Sequence, residues 1–338
     1  MLIFNKDPLR AAVEAASGGR VTVLYDDRGY PSYMEVVPKF NVETIDTDLG
    51  TGVHPAFIVN GVEKSEIFVG QYKANVLDGR ALSLPGYDPT ASVNFDTAKG
   101  YCTAKGAGWH MMTNWEAAAL VLWCIKNGQP RGNTDYGRNH TSTHESGRRQ
   151  DGIAPGTASG TARTLNGSGP ASWRHDGTMS GIDGLCGNIY EWVDGMKLVN
   201  GKFYFPDDNY YNQLEASWKD QGVIIAEDTG DKLGVAGTDT LHAGGGVSFG
   251  AWKGLTRTAA YAGLDAAIKN RFQQAMIDPA FDNSNPIGSF YFNTTGEMVP
   301  LRFGYWSLGA DAGVACLHLG NARSNVYASF GFRLAYVG

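Results

Sequence analysis

The stretch from residue 128 to residue 180 constrains the fold most, because nothing in it repeats with the period of a helix or a strand. Gly, Ser, Thr, Asn and Arg dominate it, which is typical of loops. A loop this long suits a compact domain only where it is functional or held by other parts of the protein. With 45 glycines, 12% aromatic and 18% charged residues, the chain favours a loop-rich fold over a helical bundle or a disordered tail.

The N-terminal residues are predicted to form a small β-rich module. Residues 7–16 predict a short helix, and residues 20–25 and 32–37 predict a β-hairpin around a turn. We therefore divide the chain into an attachment or oligomerisation module at 1–50 and a larger domain at 51–338.

A capping box predicts the clearest helix of the chain. The hydroxyl of Thr113 can accept from the backbone N–H three residues later, while Glu116 reaches back to the start of the helix. The apolar run 117–125 continues the helix, and Gly128 ends it. A helix that is apolar on most sides is expected to be buried. Further short strands are predicted near 289–292, 315–319 and 330–336.

Charge and cysteine spacing exclude several classes of protein. The net charge of −6 argues against nucleic acid as a partner, since phosphate binding needs a basic face. The longest apolar run, 117–125, is too short to cross a bilayer, so no membrane insertion is expected. Charged residues near the N-terminus interrupt any signal-peptide core, which argues against standard secretory export. The cysteines are widely spaced without a C-x-x-C pair and are predicted to be buried free thiols; they are Cys102, Cys124, Cys186 and Cys316.

Four segments, taken in order, resemble the formylglycine-generating-enzyme (sulfatase-modifying factor) branch of the C-type lectin fold. They are GWHMMTNWEAA at 108–118, GLCGNIYEW at 184–192, AGGGVS at 243–248 and FGFR at 330–333. The resemblance covers residues 52–338 and implies a loop-rich α+β fold of this C-type lectin type, preceded by the small β-rich N-terminal module. A fold of this kind does not by itself imply an activity.

In the resembled family the second segment contributes oxygen ligands to a calcium ion. The resemblance therefore implies a calcium site at Asn188 and Glu191, whose side-chain oxygens suit a hard cation. The alternative is that both side chains make structural hydrogen bonds without a metal, because two such ligands do not define a calcium site. No cofactor is otherwise required.

The C-terminal segment contains RFGYWSLGADAG at 302–313, LGNARSN at 319–325 and FGFR at 330–333. These pieces, over about 302–333, are similar to the variable region of diversity-generating retroelement proteins. In that family a template is copied with errors at adenines, so asparagine codons become other residues but never Lys, Glu, Gln, Met or Trp. Residues 302–338 contain no Lys, Glu, Gln or Met. Eight positions match template asparagines, and all eight carry permitted residues: Tyr305, Ser307, Leu308, Asp311, His318, Gly320, Tyr327 and Ser329.

The resemblance makes these eight positions ligand-binding candidates, together with the neighbouring Phe303, Val326 and Ala328. Tyr, Phe, His and Leu supply contact area, while Ser, Asp and Gly supply adaptable polar contacts, as in a paratope. Scaffold residues at Trp306, 322–325 and 331–333 alternate with them. The alternative is an ordinary glycine-rich loop and strand that close the fold.

Catalysis is the rival interpretation. The resembled oxidase holds copper between two cysteine thiolates in its C-terminal part, where this chain offers only Cys316. A related iron-dependent sulfoxide synthase uses three histidines, but the pair His140 and His144 lies in a stretch without a helix signal. A third class is a structural virion or surface-decoration protein.

We therefore expect a non-enzymatic, hypervariable receptor-binding protein of a phage tail. Its partner would be a host cell-surface protein or glycan, and the N-terminal module would attach it to the virion, with a homotrimer as one arrangement. The expected location is the tail tip of the virion, with the bacterial cell surface or the cytoplasm as alternatives.

Overall fold

The computed structural model describes residues 7–226, 232–243, 247–249, 263–277 and 288–338. These residues form a loop-rich α+β structure, as predicted. The helices are α1 Pro8–Ser17, α2 Phe95–Thr103, α3 Asn114–Asn127 and α4 Ala266–Gln274. The strands are β1 Val21–Tyr25, β2 Pro31–Pro38, β3 Ile58–Val59, β4 Val62–Glu63, β5 Glu66–Gly70, β6 Asn75–Leu77, β7 Arg80–Leu82, β8 Trp109–Met111, β9 Tyr190–Trp192, β10 Lys197–Val199, β11 Lys202–Phe205, β12 Lys219–Ala226, β13 Lys232–Val235, β14 Val247–Phe249, β15 Phe290–Phe292, β16 Glu297–Met298, β17 Leu301–Arg302, β18 Leu317–Leu319, β19 Phe330–Phe332 and β20 Leu334–Tyr336.

The N-terminal hairpin belongs to a five-stranded sheet, here the first sheet, with strand order β1-β2-β5-β20-β8. Helix α1 and the hairpin β1–β2 lie where the sequence predicts them. Asp7 caps the start of α1, and Gly18 ends it in the left-handed conformation. Because β2 pairs with β5 and β5 pairs with β20, the hairpin of the predicted module at 1–50 shares its sheet with strands of the larger domain.

Helix α3 runs through the core. The side chain of Thr113 accepts from the Glu116 N–H, and the Glu116 carboxylate accepts from the Thr113 N–H, so the predicted capping box is present. Ten of its residues, from Asn114 to Cys124, are buried. The helix packs in the largest apolar cluster with residues from all parts of the chain, including Phe57 and Phe290.

A six-stranded sheet, here the site sheet, has strand order β14-β15-β18-β17-β9-β19. Strands β15 and β18 are parallel, as are β9 and β19. This arrangement brings the segment around residue 190 beside the C-terminal segment around residue 330. A third sheet, β13-β12-β11-β10-β16, was not predicted from the sequence.

The loop at 128–180 is held in place by buried polar contacts. The side chain of Arg149 is fully buried and donates to the Thr157 carbonyl (2.8 Å) and to Asp151 (2.7 Å). The carbonyl of Asn133 accepts from the Asn188 N–H at 2.7 Å, next to the site sheet. The loop therefore meets the condition that a long loop in a compact domain be tied down.

Among the described residues, no helix is long and apolar enough to cross a membrane. Within the third resembling segment, at 243–248, residues 244–246 lie outside the described residues. Helix α4 starts after Asp265, whose side chain accepts from the Ile268 N–H.

Candidate ligand-binding pocket

An open pocket of about 430 Å³ lies on the site sheet. Two loops form its rim: the first rim loop, residues 303–311, and the second rim loop, residues 320–329. Its lining contains seven of the eight positions that match template asparagines, which are Tyr305, Leu308, Asp311, His318, Gly320, Tyr327 and Ser329. The remaining lining residues are Tyr190, Ser289, Tyr291, Asn321 and Phe330. Positions spread over the C-terminal segment thus meet on one concave surface.

Aromatic rings form the floor of this pocket around Tyr190. The centroid of its ring lies 5.4 Å from that of Tyr305, 5.5 Å from that of His318 and 5.9 Å from that of Phe330. Tyr327 adds a ring 4.8 Å from Phe330. Such a surface can stack against a planar or apolar group of a ligand, such as an aromatic side chain or the face of a sugar ring.

His318 is fixed by its own turn. Its Nδ1 accepts from the Gly320 N–H (3.2 Å) and from the Asn321 amide (3.0 Å), so Nε2 carries the proton. Burial lowers the pKa of His318 to about 4, which keeps the ring neutral at pH 7. The ring stacks on Tyr291 at 4.4 Å. A β-carbon added at Gly320 would lie 2.5 Å from the Tyr291 ring, so this corner is closely packed.

The first rim loop is held through its backbone. The Trp306 N–H donates to the Asn188 carbonyl at 3.1 Å, and the Trp306 carbonyl accepts from the Tyr136 N–H at 2.7 Å. The Asp311 carbonyl accepts from the N–H and the hydroxyl of Ser289, at 3.0 and 3.1 Å. None of these bonds uses a side chain at a candidate position.

The second rim loop is also held largely through its backbone, although the ring of the candidate residue His318 accepts from Gly320 and Asn321 at its start. The Tyr327 carbonyl accepts from the Ser92 N–H at 3.2 Å, and the Ser329 carbonyl accepts from the Tyr190 N–H at 2.8 Å. Six candidate side chains make no hydrogen bond or ion pair within the described part of the chain. They are those of Tyr305, Ser307, Leu308, Asp311, Tyr327 and Ser329. The backbone therefore sets the loop conformation, and the side chains are available for a ligand.

The side chain of the scaffold residue Arg323, in contrast, makes several polar contacts. Arg323 donates to three carboxylates, those of Glu297 (2.7 Å), Asp96 (2.8 Å) and Glu215 (2.7 Å). Its guanidinium also lies over the ring of Phe95, 5.4 Å from the centroid. Arg323 thus joins the second rim loop to the start of α2 and to the third sheet.

Four of the eleven predicted contact residues do not line the pocket. Phe303 is fully buried in the largest apolar cluster, the one that contains α3, and its backbone has a positive φ of 72°. Its prediction as a surface contact is therefore wrong, since its side chain completes the core. Val326 is exposed outside the pocket. Ser307 is partly exposed, and Ala328 packs beside Trp306.

Sequence reasoning missed three aromatic or polar contributors from outside the C-terminal segment. Tyr190 lies on β9 and Tyr291 on β15, while Ser289 precedes β15. The alternation of buried Phe290, half-buried Tyr291 and buried Phe292 is a strand pattern whose middle residue faces away from the core. That alternation was the available signal for Tyr291.

The two residues predicted as calcium ligands are engaged by protein groups. Glu191 is fully buried, and its carboxylate binds Arg333 through two hydrogen bonds (2.8 and 2.9 Å) and also binds Lys73. Burial alone would raise the pKa of Glu191, but the charges of Arg333 and Lys73 outweigh it and hold the pKa below its ordinary value. The Asn188 side chain exchanges hydrogen bonds with the Thr164 backbone, at 2.8 and 3.1 Å. Both side chains therefore make the structural hydrogen bonds that were the alternative to a calcium site, and calcium at Asn188 and Glu191 stays a prediction.

The cysteines and His140, which bear on the catalytic alternatives, all make ordinary structural contacts. All four cysteines are buried free thiols, as predicted. Burial raises the pKa of Cys316 to about 11, so it is protonated at neutral pH. His140 exchanges hydrogen bonds with Thr134 in the loop at 128–180. The described residues contain no group of three or more His, Cys, Asp or Glu side chains placed to hold a metal ion.

Comparison with known proteins adds nothing that would choose between these functions, since no family model matches the chain and no curated protein matches it. The side chains that line the pocket are therefore the guide to function. Among the described residues that line it, Asp311 is the one carboxylate and no Lys or Arg is present. The pocket offers rings, hydroxyls and one negative charge.

Proposed function

We propose that this protein is a non-enzymatic receptor-binding protein that displays diversified side chains in the pocket on the site sheet. One observation carries the proposal: the candidate positions meet in one pocket, yet their loops are held by backbone hydrogen bonds. A loop held in this way keeps its conformation when its side chains change. That is the requirement for a rigid surface with many sequences.

The contacts between the resembling segments support a C-type lectin fold of the formylglycine-generating-enzyme type. The second segment supplies β9 and the fourth supplies β19, and the two strands pair. Glu191 of the second segment and Arg333 of the fourth form a buried ion pair. Strand β8 of the first segment pairs with β20, which directly follows the fourth. Short motifs that are far apart in sequence thus form one connected unit.

The biological setting follows from the resemblance to diversity-generating retroelement proteins. The protein would lie at a phage tail tip, bind a host cell-surface protein or glycan, and be attached by its N-terminal part, with a homotrimer as one arrangement. The presence of a reverse transcriptase gene and a near-identical repeat beside the gene would support this setting. The absence of both would contradict it.

The structural requirement can be tested with two libraries displayed on yeast. The first randomises the rim-loop positions with adenine-mutagenised asparagine codons, at Tyr305, Ser307, Leu308, Asp311, Tyr327 and Ser329. The control library randomises scaffold positions with the same codons, at Trp306, Arg323, Phe332 and Arg333. We expect most members of the first library, and few of the second, to resist protease. Equal loss of resistance in both libraries would refute the proposal.

Binding is tested by adsorption to host bacteria. We expect the triple variant Tyr305→Ala, His318→Ala, Tyr327→Ala to fold, with a lower melting temperature because the His318 ring makes two hydrogen bonds, and to lose adsorption. Tyr87→Ala is the matched control, because Tyr87 is 55% exposed and lies outside the pocket. Unchanged adsorption of the triple variant would favour a purely structural virion protein. Conversion of a peptide cysteine to formylglycine would favour the oxidase alternative.

A further inference from the structure

A second cavity, of about 530 Å³, lies between β2, the end of α3 and the segment at 175–176. It shares no lining residue with the pocket on the site sheet. Its apolar wall is formed by side chains of β2, of the segment after it and of α3, among them Val37, Phe40, Leu120 and Trp123. Its polar wall contains Glu35 and His175. A cavity of this size and composition can hold a small molecule.

The carboxyl group of Glu35 is the unusual feature of this cavity. Glu35 is 4% exposed, and within the described residues its Oε2 has no hydrogen-bond partner. Its Oε1 lies 3.9 Å from Nε2 of His175, too far for a hydrogen bond. Burial raises the pKa of Glu35 to about 8; Asp176 also raises it and Arg20 lowers it. A buried carboxyl oxygen without a partner carries a desolvation cost that a bound donor would remove.

His175 does not supply a positive charge to the Glu35 carboxyl group. Its Nδ1 accepts from the Ile182 N–H at 2.8 Å, so the proton is on Nε2, on the side of Glu35. Burial lowers the pKa of His175 to about 4, which leaves the ring neutral at pH 7. The ring packs against Trp123, with centroids 4.7 Å apart.

The cations at the edge of the cavity are already engaged. Arg20 binds Asp176 and donates to Ser180 at 2.7 Å. Lys126 donates to the Thr44 carbonyl, and Lys39 pairs with Glu63. Among the described residues that line the cavity, Glu35 is thus the carboxyl group that remains without a partner of opposite charge.

We propose that this cavity binds a small molecule with an apolar or aromatic body and a primary amine. The ammonium group would donate to the free oxygen of Glu35, and the body would lie against Phe40, Leu120 and Trp123. An adjacent positive charge favours the ionised carboxylate, and aromatic faces favour a cation. This inference does not depend on the function proposed for the site sheet.

The test is calorimetric titration of the full chain with phenethylamine, 2-phenylethanol and 3-phenylpropionate. The three probes share the aromatic body and differ in the charge of the head group. We expect phenethylamine to bind at least about tenfold more tightly than the other two. Equal binding of 2-phenylethanol, preference for 3-phenylpropionate, or no binding of phenethylamine would each overturn the proposal.

Two variants locate the site. Glu35→Gln keeps the size of the side chain but cannot ionise, and we expect it to weaken phenethylamine by at least about tenfold. Glu66→Gln is the control, because Glu66 is exposed and does not line the cavity. Thermal melting of both variants checks that they fold. If Glu35→Gln misfolds, Trp123→Leu replaces it, and an unchanged affinity in a folded variant of either kind contradicts the assignment.

Discussion

Replacing Glu191 with Gln is expected to destabilise the protein strongly. The carboxylate is fully buried between Arg333 and Lys73, whose side chains are also buried. Gln keeps the shape and one acceptor oxygen but leaves two buried cations without a counter-charge. Removing one partner of a buried ion pair typically costs about 3–5 kcal/mol, and we expect a loss in this range.

The assay is urea unfolding followed by tryptophan fluorescence, with the exposed Glu66→Gln as the control. A loss of less than about 1 kcal/mol, as for an exposed ion pair, would refute the reasoning. Calcium provides a second check. If Glu191 were a calcium ligand, EDTA would lower the melting temperature of the parent protein, whereas the observed ion pairs predict no change.

The same carboxylate predicts an acid-dependent loss of stability. Because the folded protein holds the pKa of Glu191 below its ordinary value, the stabilisation is present above the unfolded pKa near 4.5. It is lost as the pH falls through the lower folded pKa. We expect Glu191→Gln to show a shallower loss of stability in acid than the parent protein.

Three further predictions concern the pocket and the core. Gly320→Ala should cost about 1–3 kcal/mol, because the new β-carbon meets the Tyr291 ring, and adding Tyr291→Leu should recover part of the loss in thermal melts. His318 should titrate by NMR near pH 4, so its contribution to stability falls as the pH drops below its unfolded pKa of 6.5; a titration near 6.5 would contradict its burial. Thr113→Ala removes the cap of α3 and should cost about 1 kcal/mol in urea unfolding.

The local elements were predictable because their signals are local. The capping box of α3 spans four residues, and the glycines after α1 directly follow its last turn. The third sheet was missed because β10, β11 and β16 are short, with three, four and two residues, and because β16 joins the sheet from far along the chain: Leu198 of β10 pairs with Met298 of β16. Such pairings depend on the whole chain, and short strands carry little periodicity.

The candidate site also has a local signal in the sequence. The resemblance to retroelement variable proteins marks eight positions along the C-terminal segment, and seven of them line the pocket. It does not mark burial, so Phe303 was included although it completes the core. The spacing of residues along the chain also does not reveal which side chains form ion pairs. Glu191 binds Lys73 and Arg333, which are 118 and 142 residues away, and neither partner follows from the segment whose resemblance implies calcium.

If the rim loops are diversified as proposed, the position of β20 limits which copying errors still give a folded chain. This strand lies between β5 and β8 in the first sheet, and in the chain it follows both rim loops. A base substitution in a rim loop leaves β20 unchanged, but a frameshift there removes an interior strand of that sheet. Chains that cannot complete the sheet would be degraded. Chains with a substituted residue in a rim loop would therefore fold. Chains with a shifted reading frame would not fold, and so would not reach a receptor.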